Sequence, residues 1–93
     1  MYKLKLGDIK WIKSEGNYLE LYCKNSKHLI RATVRDFIKK LPKDLFIQVH
    51  RSYIANTDCI DALGHRVIKI GNTHIPIGNH YVENVQESFD IIL

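Results

Sequence analysis

The sequence predicts a mainly β fold, mostly antiparallel, with one short inserted helix and a C-terminal helix. Three observations carry this. Turn-forming residues recur along the 93-residue chain at Gly7-Asp8, Gly16-Asn17, Lys24-Asn25-Ser26, Leu63-Gly64, Gly71-Asn72 and Gly78-Asn79. The runs between them are short and rich in β-branched and aromatic side chains, which suit a pleated, half-buried surface. Only two stretches place apolar residues at helical spacing.

In chain order, Ile9–Lys13 alternates imperfectly and Tyr18–Cys23 forms a strand with two usable faces. Ile30-Arg31-Ala32-Thr33-Val34 is expected to pair back as a hairpin partner across a turn at 24–27. Thr33, with Asp36 three residues on, resembles a capping box. Val34, Phe37, Ile38 and Leu41 then line one helical face until Pro42 stops it. The remaining strands are Ile47–Val49, Tyr53–Asn56, Arg66–Ile70 and His74–Ile77, with Pro76 confined to an edge or bulge. Tyr81, Val85, Phe89 and Ile92 form the stripe of the last helix, with Glu83, Gln86, Glu87 and Asp90 off it and Asn79 as its expected N-cap. Trp11, Phe37, Phe46, Val49, Tyr53 and Ile54 are the expected core.

Length and composition bound the function. At 10.9 kDa, residues 1–93 are expected to form a single domain. Hydrophobic content of 45% with 26% charged residues excludes wholesale disorder. No apolar run approaches the ~20 residues of a membrane span, and no signal-peptide core opens the chain. Cys23 and Cys59 are too few for a disulfide framework and are expected to be buried free thiols, which favours a cytoplasmic setting. The net charge of +4 is unevenly spread. Residues 1–43 hold eleven bases against four acids, 44–82 hold three of each, and 83–93 hold three acids alone. A front half at +7 fits a surface that meets a polyanion, nucleic acid or anionic membrane, or merely a solubilising one.

Catalytic constellations are sparse. His50, His74 and His80 show no recognised metal-ligand spacing, so neither a metal nor a cofactor is expected. His50 and Ser52 would share a face of an extended strand, yet no nucleophile elbow or oxyanion loop accompanies them. Phosphate-cradling glycine motifs are absent as well, and no catalytic residues are assigned. Binding chemistry is richer. His50-Arg51-Ser52-Tyr53 is a packet of donors in which Arg51 is suited to guanine or phosphate, unless it pairs with Asp58 or Asp61. Gly16-Asn17-Tyr18 and Gly78-Asn79-His80 are two further polar loops. A hairpin turn and a helix cap are their simpler readings.

At these residues the sequence resembles the LytTR-type DNA-binding domain of bacterial transcriptional regulators. Asp8 to Tyr18 is similar to that family's opening strand–loop–strand, "I-x-x-I-x-A-x-x-N-Y". Thr33 to Pro42 resembles its short helix. Phe46-Ile47-Gln48-Val49-His50-Arg51-Ser52-Tyr53-Ile54-Ala55-Asn56 is similar to its hallmark "F-x-R-V-H-R-S-x-x-V-N", and Ile75-Pro76-Ile77-Gly78 with Tyr81 to "I-P-V-S-R-x-Y". The matches span residues 8–90 in order.

The resemblance implies an elongated fold of about ten strands that reads double-stranded promoter DNA with loops. Carried over by motif, Asn17 and Tyr18 lie on the first reading loop, His50, Arg51 and Ser52 on the second, and Asn79 and His80 on the third. Lys13, Lys24 and Lys27 are expected to contact phosphates. Direct repeats bound by a homodimer, and a receiver or sensor domain in a longer parent protein, are implied partners, which makes this the output domain of a response regulator. Two positions depart from the pattern: the family usually carries Arg where Gln48 stands, and frequently where Asn79 stands. The competing expectation is a basic β module that binds a protein or anionic lipid without sequence-specific DNA recognition.

Overall fold

Short alternating runs punctuated by tight turns can bury apolar faces only by pairing side by side. The computed structural model, which describes residues 4–89, shows how they do so. The strands are β1 (Ile9–Glu15), β2 (Tyr18–Cys23), β3 (Lys27–Arg31), β4 (Phe46–His50), β5 (Tyr53–Asn56), β6 (Ala62–Gly64), β7 (Val67–Ile70) and β8 (Thr73–Pro76). The helices are α1 (Val34–Ile38) and α2 (Val82–Phe89), the latter entered through a 3-10 turn at Asn79–Tyr81. The described residues thus hold eight strands rather than about ten. The molecule measures 44 × 23 × 22 Å and is elongated.

A five-stranded antiparallel sheet runs β3-β2-β1-β5-β4, and a three-stranded one β6-β7-β8. Because successive strand residues point to opposite faces, the larger sheet supports two cores. Ile12, Leu19, Leu21, Phe46 and Ile54 pack with Val34 and Leu41 from the α1 segment on one face. Ile47, Val49 and Ala55 pack on the other with Ile68, Ile70 and Ile75 of the smaller sheet and Val85 of α2. Neighbours such as Ile54 and Ala55 therefore serve different cores. Asn56, nearly fully buried at 1% exposure, ties the strand ends together. Its amide donates to the Ile9 carbonyl at 2.8 Å, and its Oδ1 accepts from the Asp58 N–H at 2.9 Å.

Several local expectations shift. The Thr33 hydroxyl caps α1 by accepting from the Asp36 N–H at 3.1 Å, yet the helix ends at Ile38 and Leu41 is buried from the turn beyond it. The third strand starts at Lys27, because the Cys23 N–H bonds the Ser26 carbonyl and closes the loop three residues early. Ala32, Thr33 and Val34 consequently leave the sheet. Leu63-Gly64 is strand β6, and the turn is His65-Arg66. Asn79 does not cap the last helix: it lies inside the 3-10 turn, whose N-cap is Gly78. Trp11, Tyr53 and Phe37 are half-buried at the core margins, whereas Phe46, Val49 and Ile54 are buried. Both cysteines are only part-buried, and burial raises each thiol's pKa. Asp90 and Ile92 lie outside the described residues.

Candidate nucleic-acid interface

Strand register and backbone hydrogen bonds set the three polar loops side by side at one end of the five-stranded sheet. The first is the two-residue turn Gly16-Asn17, closed by the Glu15–Tyr18 pair, with Gly16 at φ +60° as a tight hairpin of this kind requires. Strand β5 pairs with β1 at Lys13–Tyr53, and the Ser14 N–H donates to the Ser52 carbonyl at 2.8 Å. The Arg51-Ser52 turn is thereby held beside the first loop. The third loop is pinned in turn: the Gly78 N–H donates to the Val49 carbonyl at 2.8 Å, and a Cβ on Gly78 would lie 3.5 Å from the His50 Cα. Asn17, Tyr18, Arg51, Asn79 and His80 are exposed, while His50 and Ser52 are half-buried.

A β-bulge shapes the middle loop. Gln48 pairs with Ile54 and His50 with Tyr53, so Val49 is the extra residue. The bulge shortens the connection to Arg51-Ser52 and re-aims His50. The His50 ring meets Tyr53 edge-on, with centroids 5.5 Å apart. Its Nδ1 accepts from the backbone N–H of Ser52 at 3.0 Å, so Nε2 carries the proton of the neutral ring and is the atom left to donate outward. Ser52 sits in the turn rather than on an extended strand, and no hydrogen bond joins its hydroxyl to the imidazole. The arrangement positions a donor. Among the described residues no cluster of three or more His, Cys, Asp or Glu side chains is placed to hold a metal ion. Nor is any helix among them long and apolar enough to cross a membrane.

The comparisons with known proteins agree. The family model of the LytTr DNA-binding domain matches residues 1–90. The chain belongs to this family. The Enterococcus faecalis sensory transduction protein LytT is 25% identical over 97 residues, covering 98% of the chain and 40% of that protein. An uncharacterized response regulatory protein of Vibrio cholerae is 23% identical over 86 residues, covering 83% of the chain and 33% of its own length. The chain thus spans well under half of either relative. A LytTr DNA-binding domain from Bacillus cereus superposes with a TM-score of 0.86 at 19% identity, over 95% of this chain and 86% of that one. Membership places the LytTr domain among DNA-binding modules of transcription regulation, a binding family and not a catalytic one.

The cations of this LytTr domain divide by position. Lys24 and Lys27 flank the far end of β2, about 17 Å along the strand from Tyr18 at ~3.4 Å per residue, and so lie away from the three loops. Lys27 is engaged there: its ammonium contacts Glu20 at 2.9 Å and lies 5.1 Å from the Tyr22 ring centroid. Lys13 is nearer the loops and pairs with Glu15 at 3.6 Å, and Tyr53 and Glu15 raise its pKa. Sequence reasoning passed over two other cations. Arg31 pairs with Tyr18 across β2–β3, and Arg66 projects from the β6–β7 turn. Both are exposed, and both became visible only once the register was known.

Gln48 takes a role that Arg at this position would perform differently. Its amide donates to the His50 carbonyl at 3.2 Å and to the Tyr81 hydroxyl at 3.3 Å, locking the second loop to the segment after the third. Glu20 offers a pH test. The Lys27 ammonium, then the Tyr22 hydroxyl at 3.0 Å, hold its carboxyl below the usual carboxylate range. A depressed folded-state pKa stabilises above the unfolded value, and that stabilisation is lost as pH falls through the folded one. Thermal unfolding should therefore show wild type and Glu20→Gln converging on acidification, with any wild-type advantage confined to pH above the carboxylate range. The effect should be small, because the pair is exposed and screened.

Proposed function

We propose that this LytTr domain recognises double-stranded promoter DNA sequence-specifically, through the loops at 16–18, 50–52 and 78–80, as the output domain of a cytoplasmic response regulator. The observation that carries this is the juxtaposition of three polar loops at one end of the five-stranded sheet, each anchored to its neighbour through the backbone. A fixed row of donors can follow successive grooves along one face of a duplex. Asn17 offers an amide suited to adenine, Arg51 a fork suited to guanine, and Nε2 of His50 a single donor. Lys13 and Arg31 lie close enough to this end to meet phosphates, whereas Lys24 and Lys27 supply general attraction. The single-domain reading of residues 1–93, a homodimer on direct repeats, and a receiver or sensor domain elsewhere in the parent protein belong to the same proposal. Both relatives' names, a sensory transduction protein and a response regulatory protein, fit it.

Selection from a random duplex pool tests the proposal. A short recurring motif is expected, repeated at fixed spacing if a dimer binds. With about four to six phosphates neutralised, log affinity should fall with log salt at a slope of about −4 to −5. Enrichment of no sequence, together with co-sedimentation on anionic vesicles, would support the lipid-binding alternative instead.

A further inference from the structure

Arg66 is the one non-glycine residue with a left-handed backbone among the described residues, at φ +61°. It is the second residue of the turn His65-Arg66, which joins the paired residues Gly64 and Val67. Glycine or asparagine would occupy such a position with less strain. A long cationic side chain held against its backbone preference points to a task for that side chain. Its surroundings indicate which. The Arg66 carbonyl accepts from the Ile77 N–H at 2.9 Å, which fixes the turn against the third loop. The guanidinium donates through Nη1 to the Asn79 side-chain carbonyl. Both side chains are exposed, and among the described residues no carboxylate forms an ion pair with Arg66.

A neutral amide orients the guanidinium while leaving its full charge and most of its five donors available. Bidentate recognition of guanine O6 and N7 depends on a fixed fork, whereas a phosphate contact tolerates a mobile cation. We propose that Arg66 is a specificity-determining residue that reads guanine beside the third loop, with Asn79 as its positioning residue. This inference rests on the duplex-binding reading above. It adds a fourth contact segment, the β6–β7 turn, to the three loops.

The test compares duplexes selected from a random pool by wild type, Arg66→Gly, Arg66→Lys and Asn79→Ala, with affinities from fluorescence anisotropy and thermal unfolding of each protein. Glycine relieves the left-handed backbone, so Arg66→Gly should unfold at an equal or higher temperature. Folding is thus separated from recognition. Wild type is expected to select a guanine at one fixed position. Arg66→Gly should weaken that site by about 5- to 150-fold and abolish the preference there alone. Arg66→Lys keeps the charge but loses the fork, and should lose the same preference. Asn79→Ala should blur it to a smaller extent. Equal weakening across all sequences with a shallower salt slope would identify a phosphate contact and overturn base reading. Unchanged affinity and preference in Arg66→Gly, with wild-type selection intact, would overturn any role for Arg66 and leave the three-loop reading standing. Wild type that selects no sequence would overturn both.

Discussion

Phe46→Ala should destabilise the LytTr domain by about 3–5 kcal/mol, a large part of the roughly 5–15 kcal/mol that holds a small domain folded. Phe46 is 4% exposed and belongs to the core shared by Ile12, Leu21 and Ile54 with Val34 and Leu41. Its ring is among the larger apolar groups on the face that joins the α1 segment to the sheet. Removing it forfeits transfer free energy and leaves a cavity between elements that cannot both collapse inward. The same strand carries His50 at its far end, so loosening β4 should also disorder the middle loop. Equilibrium urea unfolding should show a lower midpoint with an unchanged slope. A loss under about 1 kcal/mol would mean that the site repacks and that this core is less tightly coupled than the contacts indicate.

Arg51→Ala should behave in the opposite way. The side chain is exposed at the tip of the β4–β5 turn and makes no ion pair among the described residues; neither Asp58 nor Asp61 pairs with it. Asp61 instead accepts from the Gly71 N–H. Folding stability is therefore expected to change by no more than about 0.5 kcal/mol. On a duplex selected by the wild-type domain, affinity should fall by about 1–3 kcal/mol, with discrimination relaxed at one base position. A folded mutant that binds equally well would remove Arg51 from the interface. An unfolded mutant would require an ion pair that the structure does not contain.

Strands with sharp local signals were legible from the sequence. Tyr18–Cys23 and Tyr53–Asn56 form strands over those same residues because short runs rich in β-branched and aromatic side chains are bounded there by turns. The Thr33 cap was legible because a hydroxyl three residues before Asp36 needs no tertiary partner. Strand β6 was not, for a specific reason: glycine ordinarily marks the left-handed turn position, and here that position belongs to Arg66 while Gly64 lies in the strand. Asn79 has the local signature of a helix cap, whereas its partner, Arg66, stands thirteen residues away. The lock from Gln48 to Tyr81 spans thirty-three residues and has no local signature. The candidate site behaves in the same way. Motif order identified the three loops, but only strand register shows that they share one end and that Lys24 and Lys27 lie at the other.

Amide chemical-shift mapping of the isotope-labelled domain, titrated with a duplex it selects, tests most directly whether that end reads DNA. The largest shifts are expected at Asn17, Tyr18, Arg51, Ser52, Asn79 and His80, with Arg66 joining them and the β2–β3 turn around Lys24–Lys27 moving little. Shifts concentrated at the β2–β3 turn, with the three loops unmoved, would contradict recognition by the loop end.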